Sequence, residues 1–365
     1  MFASLAAVLA LALPAQSLQT TNEVVLLDGK VMTVDSILSE TYQEVRYKKG
    51  KAEGSRPADQ VREVRHALKG ARLEDYTAGL ELMAQGDFAG AIGMFENVLA
   101  DERLQKEKKY AWTQQHALWN EIRALAALGD APRVVETVDR LLAKVPDTFF
   151  YAPALLMKAQ ALVDMGDVAG ARKVYERLAD DVAAKGLPER WAREAELGLL
   201  ILDDSLAPAD KQRRLQGLAE RNASEYPAVA ARARVEVGNA MVAAGDFDGA
   251  RDFFQSIVES PEADDATQAA AWSGLGDVAY ELALRTEDTN RRKALLEEAV
   301  MDYLRVAAGY PDAFQLVPRA LARAGMALDR LGERKDAQQV ARIMLRRYPE
   351  SPWKAKLFEE LRLQG

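Results

Sequence analysis

The chain has only two histidines, His66 and His116, and no cysteine, so the side chains that most often bind metals or move protons near neutral pH are almost missing. The two histidines lie far apart, with no partner motif beside either, so neither a Ser-His-Asp arrangement nor a zinc-ligand spacing can be assembled from the sequence. Gly274-Leu275-Gly276 lacks the third glycine of a phosphate loop and sits in a helical pattern. D-F-D-G at Asp246–Gly249, with Asp252 beyond it, has no glutamate at the twelfth position of a calcium loop and reads as a turn with a helix cap. Glu262, Asp264 and Asp265 read as a solvated loop. The sequence therefore offers no catalytic residue, no cofactor-binding residue and no metal site, and the chemistry left to it is recognition. Trp119 and Arg123 stand four apart on one helix face, a pairing of residue types that dominates protein interfaces. The alternative is that Trp119 packs against a neighbouring element while Arg123 is merely solvated.

Those side chains need an element to carry them, and the chain supplies one repeatedly. G-D-F-A-G-A begins at Gly86, G-D-A-P-R-V at Gly129, G-D-V-A-G-A at Gly166, G-D-F-D-G-A at Gly245 and G-E-R-K-D-A at Gly332. The first two intervals are close to forty residues and the last two are each close to twice that. A period of roughly 20–50 residues marks a solenoid, in which each unit buries its apolar face only by stacking on its neighbours. Small residues at Gly79, Gly238, Gly276 and Gly325 let the two helices of a hairpin approach, as do Ala91, Ala171, Ala250, Ala299 and Ala337 from the opposite helix. Asp87, Asp130, Asp167 and Asp246 are placed to cap second helices. Pro146, Pro227, Pro311 and Pro349 are placed to stop them.

Gly79, Gly86, Ala91 and Phe95 recur as Gly238, Gly245, Ala250 and Phe254, and as Ala159, Gly166, Ala171 and Tyr175. Trp272, Leu275, Gly276 and Tyr280 carry the first-helix half of a W-x2-L-G-x2-Y pattern with the aromatic one place late, and Ala299, Tyr303 and Pro311 carry the second half. On these residues the chain resembles tetratricopeptide repeats. The resemblance implies a right-handed α-solenoid of helical hairpins, here at roughly 71–103, 107–147, 150–186, 188–226, 228–261, 265–310 and 313–349, with a closing helix in 350–365. It also implies a non-enzymatic protein whose first helices line a groove for a peptide or helix of another protein. The positions then expected in the groove are Tyr76, His116, Trp119, Arg123, Gln160, Asn239, Asp277, Tyr280 and Arg319. Leu331-Gly332, Tyr348-Pro349, Ser351 and Ala355 are similar to repeats of two envelope proteins, the outer-membrane assembly lipoprotein and the periplasmic coordinator of the Tol–Pal system. That likeness implies a cell-envelope setting without transferring either role.

Residues 22–68 have a different texture. Val24–Leu27 run into Asp28-Gly29-Lys30, a hairpin signal. A second strand follows from Val31 to Leu38, then Tyr42–Tyr47, a turn at Lys48–Lys51, a short strand at Ser55–Pro57 and a last strand at Val61–Arg65, whose Val61 and Val64 do not alternate. The order resembles small SH3-like or Sm-like barrels. Arg46, Lys48, Lys49, Lys51 and Arg56 cluster on one hairpin, with Tyr42 and Tyr47 nearby. They guard a sheet edge or, in the alternative reading of the whole protein, contact nucleic acid or another polyanion. A net charge of −8 and a pI near 5.2 argue against general nucleic-acid binding. Residues 1–17 read as a signal peptide without a basic n-region: an apolar run to Leu13, then a cleavage site after Ala15 or Ser17. The expectation is an exported protein with no later membrane-spanning segment.

Overall fold

The computed structural model describes residues 19–363, except Glu262 and Asp312; the expected signal peptide lies outside them. The described residues form two compact units, one of residues 19–126 and 130–196, the other of residues 127–129 and 197–363.

The first unit opens with six strands: β1 (Asn22–Leu26), β2 (Val31–Val34), β3 (Ser36–Glu40), β4 (Glu44–Lys49), β5 (Ala52–Pro57) and β6 (Val61–Arg65). They make two antiparallel sheets of three, ordered β2-β1-β6 and β3-β4-β5. The long second strand expected from Val31 to Leu38 is broken at Asp35, so its halves serve different sheets. Asp35 donates its backbone N–H to Lys48 O, and its carboxylate accepts the Gly50 N–H. The faulty alternation of the last strand has a cause as well. Val25 pairs with Glu63 but Leu26 with Val61, a bulge that skips Arg62 and leaves both Val61 and Val64 facing inward. Val24, Val34, Val45, Tyr47, Val61 and Val64 form the small core, with Phe149 packed against it from the helical part of the same unit.

Helices follow: α1 (Glu74–Gln85), α2 (Phe88–Ala100), the short α3 (Glu102–Lys106), α4 (Trp112–Leu128), α5 (Ala131–Lys144), α6 (Tyr151–Asp164), α7 (Val168–Lys185) and α8 (Arg190–Ile201). Then come α9 (Pro208–Asn222), α10 (Pro227–Ala244), α11 (Phe247–Val258), α12 (Asp265–Arg285), α13 (Thr289–Gly309), α14 (Leu316–Arg330), α15 (Arg334–Arg347) and α16 (Pro352–Leu361). Many consecutive helices pack as hairpins, among them α1 with α2, α6 with α7, α12 with α13 and α14 with α15, and in the second unit first helices also pack on one another, α10 on α12 and α12 on α14. Within each unit helices stack as hairpins.

The repeated turn explains the hairpins. Gly86, Gly129, Gly166, Gly245 and Gly332 all have φ between 74° and 84°, a backbone shape that side chains bearing Cβ resist. At four of the five the next residue then caps the second helix. The Asp87, Asp130, Asp167 and Asp246 carboxylates accept the N–H three residues on, whereas Glu333 makes no such bond. Pro227 does not stop a helix but opens α10, where a missing N–H costs nothing. At the seams, glycine makes room for an aromatic ring. A Cβ on Gly79 would lie 2.6 Å from the Phe95 ring, and one on Gly238 would lie 2.6 Å from Phe254. Phe254 also fills the space over Gly274, so Gly274-Leu275-Gly276 is a packing device within α12.

Candidate functional site

In the first unit, the side chains expected to meet a partner are layered. Tyr76 and His116 are buried, while Trp119, Arg123 and Gln160 are half-buried. Burial removes Tyr76 and His116 from any partner-facing role. Tyr76 lies edge-on to Trp112, with ring centroids 5.1 Å apart, and its hydroxyl accepts from Asn120 Nδ2 at 3.2 Å. Burial pushes its phenol well above the ordinary value. Asn120 Oδ1 in turn accepts from the Arg123 guanidinium at 3.0 Å, so the buried tyrosine and the half-exposed arginine belong to one chain of bonds. Trp119 stacks on Phe150 at 5.0 Å with planes 8° apart, which is the packing alternative the sequence left open. Gln160 donates to Asp164 on its own helix.

In the second unit Asn239 is exposed and donates to Glu236 at 3.2 Å; burial raises the Glu236 carboxyl. Asp277 is the centre of this region. It accepts from Tyr303 Oη at 2.7 Å and from the Arg319 guanidinium, with Arg323 Nε at 3.9 Å. Arg319 also donates to Ser273 Oγ at 2.6 Å and lies over the Trp353 ring. Tyr280 is buried and accepts from Arg330 Nε at 2.6 Å, so it too is removed from direct partner contact. The side chains left half-exposed here, Asp277, Arg319, Arg323 and Trp353, form a surface of held charge beside an aromatic face.

A third constellation was invisible in the sequence. Glu40 closes β3, His66 follows β6 and His116 lies on α4, and all three side chains meet. Glu40 Oε1 lies 2.9 Å from His66 Nε2, and Glu40 Oε2 lies 2.9 Å from His116 Nε2. The side chains are 3%, 7% and 8% exposed, in that order. Trp112 stacks face to face on His66, centroids 4.0 Å apart, and Phe150 closes on His116 edge-on. Burial alone would raise the Glu40 carboxyl, but the two imidazoles outweigh it and hold the pKa at about 2. Burial pushes His66 down. The two histidines thus acquire the partner that their sequence surroundings lack. No spacing announces Glu40; the only signal was that a chain so poor in histidine keeps both in its first third.

More polar bonds join the strands to the helices around this point. Thr41 pairs with Thr148 as an isolated bridge, and Tyr42 N–H donates to Asp147 O at 3.1 Å. Gln115 is buried and accepts from Thr148 Oγ1 at 2.7 Å and Phe149 N at 3.1 Å, while its Nε2 donates to the Glu40 carbonyl at 3.4 Å. The basic hairpin is partly neutralised: Arg46 pairs with Glu53 at 3.3 Å and lies 4.0 Å from Glu44, while Lys48, Lys49 and Lys51 are exposed.

A family model described as tetratricopeptide repeat matches residues 153–182 and 319–351, which are the α6–α7 and α14–α15 hairpins. These two stretches carry tetratricopeptide repeats. No curated protein matches. Among solved structures, the tetratricopeptide domain of P58(IPK) is similar at 14% identity over 80% of this chain and 88% of that one, with a TM-score of 0.28. At that score the tetratricopeptide reading rests on the two matched hairpins and on the helical pairing itself. Among the described residues, no helix is long and apolar enough to cross a membrane.

Proposed function

We propose that the protein is an exported, non-enzymatic adaptor of the bacterial cell envelope, and that its helical hairpins hold a peptide or helix of a partner protein. The observation that carries this reading is the Trp119–Arg123 pair on α4. Both side chains are half-exposed, and both are fixed from beneath, Trp119 by the Phe150 stack and Arg123 by Asn120 and Tyr76. An aromatic ring and a guanidinium held rigid on a helix lose little entropy on binding, and such residues dominate interface energetics. The pattern of Asp277, Arg319 and Trp353 in the other unit is consistent with a second contact area of the same kind. Tetratricopeptide repeats supply the protein-binding frame, and the apolar N-terminal run and the C-terminal likeness to envelope repeats support the location. The broken second strand, shared between two sheets, supports a small SH3-like module at residues 22–68.

The test uses the whole mature chain, because removing the strands would strip Glu40 from its histidines. Cross-linked pull-downs from fractionated source cells are compared for wild type, Trp119→Ala/Arg123→Ala and Lys48→Ser/Lys49→Ser/Lys51→Ser. An envelope protein captured by wild type and the lysine variant, and lost from the Trp119/Arg123 variant, supports the adaptor. Capture of nucleic acid, steeply salt-dependent and lost only from the lysine variant, replaces it with the polyanion reading.

A further inference from the structure

We propose that Glu40, His66 and His116 form a binding site for one divalent transition-metal ion, zinc being the ion this ligand set suits best. One ligand atom from each residue lies within 4.8 Å of the other two, although the side chains come from three separate segments: the end of β3, the residue after β6, and α4. Each imidazole turns its Nε2 toward a different carboxylate oxygen, so two nitrogens and a carboxylate converge on one small volume. Imidazole nitrogens with a carboxylate are donors of the kind zinc takes, usually in a four-coordinate site. Water would supply the position that the three side chains leave open.

The surroundings favour a cation. Trp112 and Phe150 pack on the two imidazoles, Tyr76 lies edge-on to Trp112, and the Tyr76 hydroxyl and the Gln115 amide are committed to Asn120, Thr148, Phe149 and the Glu40 carbonyl. The Glu40 carboxylate is buried, and a buried charge is costly unless it is paired. A divalent ion removes that cost. Each histidine would then give its Nε2 lone pair to the ion, in place of the Nε2–H bond it otherwise donates to the carboxylate. A structural reason points the same way. Residues 22–65 make a module far below the size at which a hydrophobic core suffices, and the chain has no cysteine with which to staple it. An ion bound to Glu40, His66 and His116 would tie both edges of this module to the first helical repeats.

The experiment strips the mature protein with EDTA, removes the chelator and titrates Zn2+ alone, following heat, metal content and thermal midpoint. The expected result is one Zn2+ per chain and a midpoint that climbs with free zinc. His66→Gln and His116→Gln should each weaken binding by more than the roughly 10–100-fold that follows loss of an outer-shell partner. A second measurement does not depend on the variants folding: Co2+ bound to wild type should show the intense visible absorption of a low-coordinate site with nitrogen ligands. Folded wild type that takes up no stoichiometric zinc, zinc binding unchanged in both variants, or a Co2+ spectrum like that of the aqueous ion would each overturn the proposal.

Discussion

The unit of residues 197–363 and the strand–helix junction of the other unit hold themselves together in opposite ways. In the former, Phe254 is fully buried and its ring fits where Gly238 and Gly274 leave no Cβ. The same device recurs at Gly276 with Tyr303, and in the other unit's first hairpin at Gly79 with Phe95. The junction has nothing that repeats. It depends on Glu40 between two imidazoles, on Gln115 between a hydroxyl and two backbone groups, and on one bridge between threonines. A seam made of one apolar contact used many times tolerates change at each copy on its own terms. A seam that relies on single polar contacts couples its members, because each deletion leaves a buried group without a partner.

The strongest way to break this comparison is to empty the repeated contact. Phe254→Ala and Phe95→Ala should each cost about 3–5 kcal/mol, read from urea unfolding, and the two losses should be similar. A loss below about 1 kcal/mol at either would show that the ring is not what holds the hairpin. Next comes the polar exception within the helical unit. Asp302 is buried on α13, and burial raises its carboxyl to about 6 even though Arg305 lies at 2.7 Å. The folded protein therefore binds that proton more tightly than the unfolded chain does. The penalty is present in full above pH 6 and is relieved as pH falls from about 6 toward 3.8. Asp302→Asn should stabilise the protein by at most about 3 kcal/mol above pH 6 and by nothing near pH 4. A variant less stable than wild type at pH 7 would refute the assignment. At the junction, Gln115→Ala should cost about 1–3 kcal/mol, and a double-mutant cycle with Thr148→Val should show non-additivity. Smallest are the caps. Asp167→Ala in one unit and Asp246→Ala in the other should each cost about 1 kcal/mol, and the double variant should show their sum.

These differences also separate what could be read from the sequence from what could not. Gly86-Asp87 and its copies announce a left-handed turn and a cap through local chemistry alone, and repetition confirms each copy by the others. Small residues seven before the turn glycine and aromatics nine after it are similarly local, so the helical seams were legible. The break at Asp35 was not, because V-M-T-V-D-S-I-L keeps strand-like alternation while the chain passes from one sheet to another. The bulge left a trace in Val61 and Val64, but no trace shows which strand it faces. Tyr76, His116 and Tyr280 lie on α1, α4 and α12. Their burial depends on Trp112, Phe150 and Arg330, which reach them from other parts of the chain. Glu40 meets His66 and His116 from 26 and 76 residues away, a relation with no period.

The recurring left-handed glycine with its capping aspartate also bears on how such a chain changes over generations. A cut made between that glycine and the following helix at any of the four Gly-Asp copies leaves the same two chemical ends. Unequal crossover between two copies would join a first helix to a second helix through an intact, already capped turn, and would add or remove whole hairpins in frame. Length in the helical part can therefore vary by duplication without a new joint being invented. The strand–helix junction, whose partners occur once each, has no second copy to recombine with and is inherited whole or lost.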